Sequence, residues 1–244
     1  LEFARVMWLP NLVAVVVNLV VFLLIFRHQI PRRFSLEAQA DIPARDWWFW
    51  VASVVLALTL VGLLWSGIVH IPLALAALGG AVVLLSIGYA GNRLSIREEM
   101  REVSWPVLVF VIGMLVLIRG FEEGWLRDRV FEMPHSLGGT IIAAAGATAI
   151  GSNIVNNVPM ALLSVPIIHR SAGDHQTALT YAVLLGTNIG PILTTYGSLA
   201  TMLWLSLVRK RGMDVTTGQY LRVGALSMPP ILISSMVTLW LVLR

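Results

Sequence analysis

Residues 151–160 read GSNIVNNVPM and interrupt an uncharged stretch that covers residues 138–168. The motif GTNIGP, at residues 186–191, interrupts a second uncharged stretch at residues 176–208. As continuous helices the two stretches would be about 46 and about 50 Å long, too long for one membrane crossing of about 30 Å and too short for two. Both stretches are therefore predicted to break.

Glycine and proline mark where the helices are expected to break. Glycine costs helix stability, and proline removes a backbone hydrogen-bond donor. The predicted break residues are Gly151, Pro159, Gly186, Gly190 and Pro191. Backbone that is not helical persists at membrane depth only where protein buries it or where it lines a cavity. The two motifs therefore predict the interior of a binding site.

The two motifs are rich in neutral side chains that donate and accept hydrogen bonds. The candidate substrate-binding residues are Ser152, Asn153, Asn156, Asn157, Thr187, Asn188, Thr194 and Thr195. Neither stretch contains Asp, Glu, Lys, Arg or His, so a ligand here meets an uncharged site, and no metal ligand or catalytic group is predicted. A simpler alternative is that these residues only pack helices together and bridge them.

The composition excludes a water-soluble globular protein. Of 244 residues, 57% are hydrophobic and 12% are charged, and the mean hydropathy is +0.82, whereas soluble domains carry about 25% charged residues. The net charge of +4 is explained by basic loops of a membrane protein, without a nucleic-acid partner. The chain has no cysteine, so it holds no disulfide or thiolate site.

The fold predicted from these features is an all-α polytopic membrane protein. Four further apolar stretches each fit one crossing of about 20 residues, and a fifth is shorter. They are residues 9–26, 47–65, 68–90 and 223–243, with residues 103–118 as the shorter one.

The distribution of basic residues predicts that residues 138–168 form a re-entrant hairpin entered from the outside. With a hairpin, 11 of the 17 Lys and Arg residues lie inside, whereas a single crossing places 9 inside and 8 outside. Because basic residues accumulate in cytoplasmic loops, the hairpin is preferred. Residues 176–208 then form a discontinuous transmembrane helix.

Two longer strings resemble a known family: GSNIVNNVPMALLSVPI at residues 151–167 and GTNIGPILTTYGSLATMLWL at residues 186–205. They are similar to the arsenical pump membrane proteins, the arsenite and antimonite efflux permeases of the ion transporter superfamily. The likeness covers essentially the whole chain, as the C-terminal part of a permease. It implies the last helix of a first repeat and a complete second, inverted repeat. A proline, apolar run and arginine at residues 9–27 and again at 228–244 fit that repeat plan.

The resemblance implies a scaffold and a moving transport domain. The expected parts are the last helix of the first repeat (1–34), a cytoplasmic linker (35–46), scaffold-type helices (47–118), an outer loop (119–137), the transport region (138–209) and a C-terminal helix (210–244). The resemblance places Ser152, Asn153, Asn156 and Asn157 at the hairpin tip and Thr187 and Asn188 at the break of the following helix.

The implied function is export of arsenite and antimonite across the cell inner membrane, in exchange for protons, by alternating access. Arsenious acid is a neutral triol at neutral pH, which suits an uncharged polar site. The resemblance also implies a soluble ATPase as a cytoplasmic partner, a homodimer and contact with membrane lipid. No cofactor and no enzymatic activity are expected.

The nearest alternative keeps the fold and changes the cargo. A sodium-coupled or sodium/proton antiporter would use the same asparagine oxygens and free carbonyls as sodium ligands. An intramembrane enzyme would show acidic or histidine pairs within its spans, and neither broken stretch has them. A non-transporting scaffold would leave the polar breaks as an unexplained cost.

Overall fold

The computed structural model describes residues 2–29, 46–69, 72–103, 105–124, 132–171 and 175–244. Within these ranges the chain forms helices and short turns, with no β-strand, which confirms the expected all-α fold. The helices are α1 (Glu2–Phe26), α2 (Trp47–Val69), α3 (Leu73–Ala90), α4 (Ile96–Glu102), α5 (Trp105–Glu123), α6 (Leu137–Val155), α7 (Asn157–Arg170), α8 (Gln176–Ile189), α9 (Leu199–Lys210) and α10 (Thr217–Leu243).

Five of the described helices are long and apolar enough to cross a membrane: α1, α2, α3, α6 and α10. In the most apolar part of α1, α2 and α3 only 6% of residues are buried, against 44% in α6 and 33% in α10. Apolar surface on that scale is unfavourable in water and favourable in lipid. The chain is therefore a multi-pass membrane protein, and α6 and α10 are more buried than the first three helices.

The boundary between α2 and α3 differs from the predicted spans. Ile68 and Val69 were expected to begin the span at residues 68–90, but they complete α2. Ser66 does not end this helix, because its hydroxyl donates to the Leu63 carbonyl at 2.7 Å and is satisfied within it. The new helix begins after Pro72, since proline is tolerated where the first N–H groups of a helix have no partner.

Two other helices are longer than hydropathy predicts. α5 continues to Glu123, five residues into the predicted outer loop. α10 begins at Thr217 instead of residue 223, because Thr216 and Gln219 form a capping box with hydrogen bonds of 3.0 and 3.3 Å. The rest of the predicted outer loop between residues 125 and 131, and the predicted linker up to residue 45, lie outside the described residues.

The chain divides into two compact units, residues 34–106 and residues 1–33 with 107–244. In the unit of residues 34–106, α2 packs against α3, and Gly80 leaves room for the Thr59 side chain. α5 falls mainly in the other unit.

In the larger unit, α6 and α8 run side by side in the same direction. Near their beginnings a ring nitrogen of His175 lies 3.2 Å from the His135 carbonyl oxygen. Near their ends, Gly190 lies against Ala149. The contact surface is lined by fully buried side chains such as Leu185, so this helix pair forms the centre of the unit.

α7 returns to the end where α6 begins. The side-chain amide of Gln176, at the start of α8, donates to the carbonyl of Ile168 in the last turn of α7 at 3.3 Å. The neighbouring His175 is the residue that contacts His135 before α6. The two helices α6 and α7 therefore form a hairpin whose turn lies at Asn156.

α10 runs opposite to α6 and α8. Gly224 in its first third lies against Ile192 and Leu193, whereas Trp240 near its end lies against Gly138 at the start of α6. α1 packs along α10. It begins near the start of α8, where the rings of Phe3 and Tyr181 have centroids 6.2 Å apart, at the end of the unit where α10 finishes. α1 and α10 therefore run in opposite directions.

Candidate functional site

The first helix break consists of one residue, Asn156. Its backbone has φ 80° and ψ 155°, a region that is almost reserved for glycine and costs other residues about 1–3 kcal/mol. The Asn156 side chain is bonded on both sides of the turn. Its Oδ1 accepts from the N–H of Val158 at 3.4 Å, and its Nδ2 donates to the Tyr196 carbonyl at 2.9 Å.

Gly151 and Pro159 were predicted to form this break, but both lie in the helices that flank it. A β-carbon at Gly151 would collide with the sulfur of Met160, so glycine here allows close packing between α6 and α7. Pro159 lies in the first turn of α7, where a missing N–H costs nothing. The chain therefore turns between these two residues instead of at either of them.

The second break is spread over residues 190–198. Gly190 and Pro191 begin a 3-10 turn that ends at Leu193, and α9 begins at Leu199 after a non-helical segment. Gly186 was predicted to break the helix, but α8 continues through it to Ile189. Its missing β-carbon leaves room for Ala145 and Thr148 of α6.

Asn153 joins the two breaks. Its Nδ2 donates to the carbonyls of Ala149 and Gly190, each at 2.8 Å, and its Oδ1 accepts from the Thr194 hydroxyl at 2.7 Å. Asn153 and Thr194 are both buried. Both amide donors of Asn153 are thus used within the protein.

A backbone bond strengthens this connection. The N–H of Asn157 donates to the Gly197 carbonyl at 2.9 Å. Gly197 must be glycine, because a β-carbon there would lie 2.9 Å from Asn153 Oδ1 and from Pro191. Tyr196 and Gly197 could not be predicted from the sequence as acceptors, because the accepting group is a backbone carbonyl that every residue carries. The only hint in the sequence is the glycine of the string TYGS at residues 195–198, which allows the close contact.

Two of the predicted ligands are satisfied within their own helices. The Ser152 hydroxyl donates to the Thr148 carbonyl at 2.7 Å, and the Thr187 hydroxyl donates to the Val183 carbonyl at 2.8 Å. Both residues are buried. Such bonds to the preceding turn remove the polar cost of burial without any ligand.

The remaining predicted ligands keep unused hydrogen-bonding groups. The buried Oδ1 of Asn157 has no partner in the described part of the chain. Asn188 donates its Nδ2 to the Leu184 carbonyl at 2.7 Å, and its Oδ1 has no hydrogen bond to the residues that the structure describes. Asn188 is also the exposed residue in an otherwise buried run from residue 185 to 191. Thr195 is half-buried, with no side-chain hydrogen bond to the described residues.

The site is polar and uncharged. Neither residues 138–168 nor residues 176–208 contain Asp, Glu, Lys, Arg or His. Among the residues that the structure describes, no group of three or more His, Asp or Glu side chains could hold a metal ion. The two breaks therefore offer amide, hydroxyl and backbone groups to a ligand.

The arsenical pump membrane protein family model matches residues 1–243. The chain belongs to this family. An arsenical pump membrane protein of Escherichia coli is 32% identical over 98% of this chain, and one of Yersinia enterocolitica is 30% identical over the same share. A 46 kDa membrane protein of Mycobacterium leprae is 23% identical over 74% of this chain and 44% of its own length.

The chain spans 58% of the length of the Escherichia coli and Yersinia enterocolitica family members. No solved structure matches it.

Proposed function

We propose that this chain is the C-terminal part of a permease that exports arsenite and antimonite across the cell inner membrane. Transport is secondary active, in exchange for protons, and proceeds by alternating access around the two helix breaks. The observation that supports this proposal most strongly is the pair of helix breaks. In this member of the arsenical pump family, hydrogen bonds join the two breaks into one uncharged polar cluster.

The chemistry of the breaks suits arsenious acid. This acid is neutral at neutral pH and has three hydroxyl groups, each able to donate and accept. The free oxygens of Asn157 and Asn188 would accept from it without a fixed charge nearby. An oxyanion such as arsenate would lose hydration and find only neutral groups and helix ends in exchange.

We propose that the hairpin of α6 and α7 is re-entrant and that α8 and α9 form a discontinuous transmembrane helix. The positions of His135, Ile168 and His175 support this, because both ends of the hairpin lie together. The opposite directions of α1 and α10 support an inverted repeat, in which each helix closes one copy.

This topology places the basic turn after α9 in the cytoplasm and Arg244 outside. Single cysteines at Arg211 and Arg244 report it through an impermeant thiol reagent, since the chain has no cysteine of its own. Labelling of the cysteine at residue 211 from the outside would rule out the re-entrant hairpin.

The proposed partners follow from the same arrangement. The turn from Arg209 to Arg211 offers basic groups to a soluble ATPase on the cytoplasmic face, and one of them, Arg209, lies 3.9 Å from Asp214. The exposed apolar faces of α1, α2 and α3 suit membrane lipid and a second copy of the protein. We propose no enzymatic activity, no cofactor and no nucleic-acid partner.

Uptake into everted membrane vesicles that contain the full-length protein tests the cargo. We expect saturable uptake of arsenite and antimonite, rejection of arsenate, and rates that fall as pH rises through the ionisation of arsenious acid. Efficient arsenate uptake, or arsenite uptake that improves as the acid ionises, would refute the neutral-site argument.

The same vesicles distinguish the sodium-coupled alternative. Collapse of the pH gradient with a protonophore should abolish arsenite uptake, and replacement of sodium by choline should leave it unchanged. The opposite pattern would favour a sodium-coupled or sodium/proton antiporter, whose sodium ligands would be the asparagine oxygens at the breaks.

A further inference from the structure

Four hydrogen bonds connect the first break to the second. Two are made by Asn153, which donates to the Gly190 carbonyl at 2.8 Å and accepts from Thr194 at 2.7 Å. The other two run from the Asn156 side chain and the Asn157 backbone to successive carbonyls of the second break, each at 2.9 Å. The polar groups at the breaks therefore serve first to hold the breaks together.

These bonds leave Asn153, Asn156 and Thr194 little capacity for a ligand. Both donors of Asn153 are in use, and its acceptor oxygen already receives a hydroxyl. All three residues are buried. A ligand that bound them would first have to break these existing hydrogen bonds, at about 1 kcal/mol for each.

Asn157 and Asn188 differ from this set because each has an oxygen without a partner. For Asn188 the orientation of the amide is determined by the Leu184 carbonyl, which requires a donor and so receives Nδ2. Its remaining group is then an acceptor. The buried Oδ1 of Asn157 is an acceptor as well. Both residues are close in sequence to residues that make these four bonds, and their own side chains take no part in them.

We infer that the asparagines and threonines at the breaks divide into two classes. Asn153, Asn156 and Thr194 are positioning residues that hold the two breaks in one arrangement whether or not cargo is bound. Asn157 and Asn188 are the residues that contact the cargo, and they select a neutral solute that donates several hydroxyl hydrogens. This division rests on the proposed transport function only for the identity of the cargo.

Thermal unfolding and transport, measured on the same full-length variants, test the division. Thr194→Val removes the hydroxyl with little change in shape and leaves Asn153 Oδ1 unpaired. We expect the ligand-free Tm to fall by about 3 °C, with a lower maximal rate and a KM for arsenite within about twofold of the wild type. Thr194→Ser retains the hydroxyl and should restore both properties.

Asn188→Ala should show the reverse pattern. We expect an unchanged ligand-free Tm and a KM for arsenite about tenfold higher, which corresponds to one lost hydrogen bond. Thr180→Val is the matched control, because the Thr180 hydroxyl on the same helix bonds only the Gln176 carbonyl at 2.9 Å. That control should leave both Tm and KM unchanged.

A Thr194→Val variant with normal Tm and a tenfold higher KM would overturn the division, as would an Asn188→Ala variant that lowers Tm and leaves KM unchanged. If the wild-type protein moves no arsenite, the transport proposal fails. The Tm difference between Thr194→Val and Thr194→Ser still decides whether Thr194 positions the breaks.

Discussion

The two helix breaks interrupt their helices with different backbone geometry. The first turns the chain at a single residue, Asn156, whose strained backbone is held by its side chain. The second uses the 3-10 turn Gly190–Leu193 and a non-helical segment before Ser198 caps α9. The sharp break depends on a side chain that reaches the other break, whereas the gradual break depends on glycines that admit its neighbours. Each break is therefore stabilised by contacts with the other.

The largest expected effect comes from filling the close contact between the second break and α6. A β-carbon at Gly190 would overlap the backbone of Ala149, so Gly190→Val should cost more than about 4 kcal/mol and leave little folded protein. Membrane abundance and size-exclusion behaviour of the solubilised protein measure this. Gly218→Val is the matched control, since nothing lies near the position of its β-carbon. Normal abundance of the Gly190 variant would mean that the breaks are not tightly packed.

The next effect concerns the residue that links both breaks. Asn153→Ala removes the donor for two carbonyls and the acceptor for Thr194, and we expect a loss of about 3 kcal/mol in the free energy of unfolding. Thermal unfolding of the purified protein measures it. Asn188→Ala serves as the comparison, because it removes an exposed asparagine that bonds only its own helix. Equal losses in the two variants would contradict the special position of Asn153.

A smaller effect separates backbone strain from side-chain bonding at Asn156. Asn156→Gly relieves the strained backbone while it loses the bond to Tyr196, so its stability should stay within about 1 kcal/mol of the wild type. Asn156→Ala keeps the strain and loses the same bond, and it should be less stable than the glycine variant by about 1–3 kcal/mol. Thermal unfolding of both variants gives the order. An alanine variant as stable as the glycine variant would show that the turn is unstrained.

The smallest effect is expected from substitutions at Ser198, at the end of the second, gradual break. Ser198 caps α9 by accepting from the N–H of Thr201 at 3.1 Å. Ser198→Ala should cost about 1 kcal/mol, as ordinary N-caps do, and Ser198→Asp should retain most of that stability. The same unfolding assay measures both. A loss as large as that of Asn153→Ala would place Ser198 among the residues that hold the breaks together.

The sequence predicts the existence of two breaks better than their residues. A helix spanning residues 138–168 or 176–208 would exceed the membrane, and this length argument needs no contacts. The exact residue at which a helix breaks cannot be predicted in this way. A glycine inside a helix costs only about 1 kcal/mol, and close packing can offset that amount. Gly151 and Gly186 are helical for this reason, and the turn lies instead at Asn156, whose side chain bonds the second break.

The sequence by itself determined that this is an all-helical membrane protein, that its family is the arsenical pumps, and that both interruptions are polar and uncharged. Those properties depend on composition, length and local motif. Only the tertiary structure decided which asparagines are already bonded and which keep a free oxygen. Asn153 and Asn188 look alike in the sequence. Their contacts differ, because hydrogen bonds over 37 and 41 residues reach Asn153, and within the described part of the chain none of that range reaches Asn188.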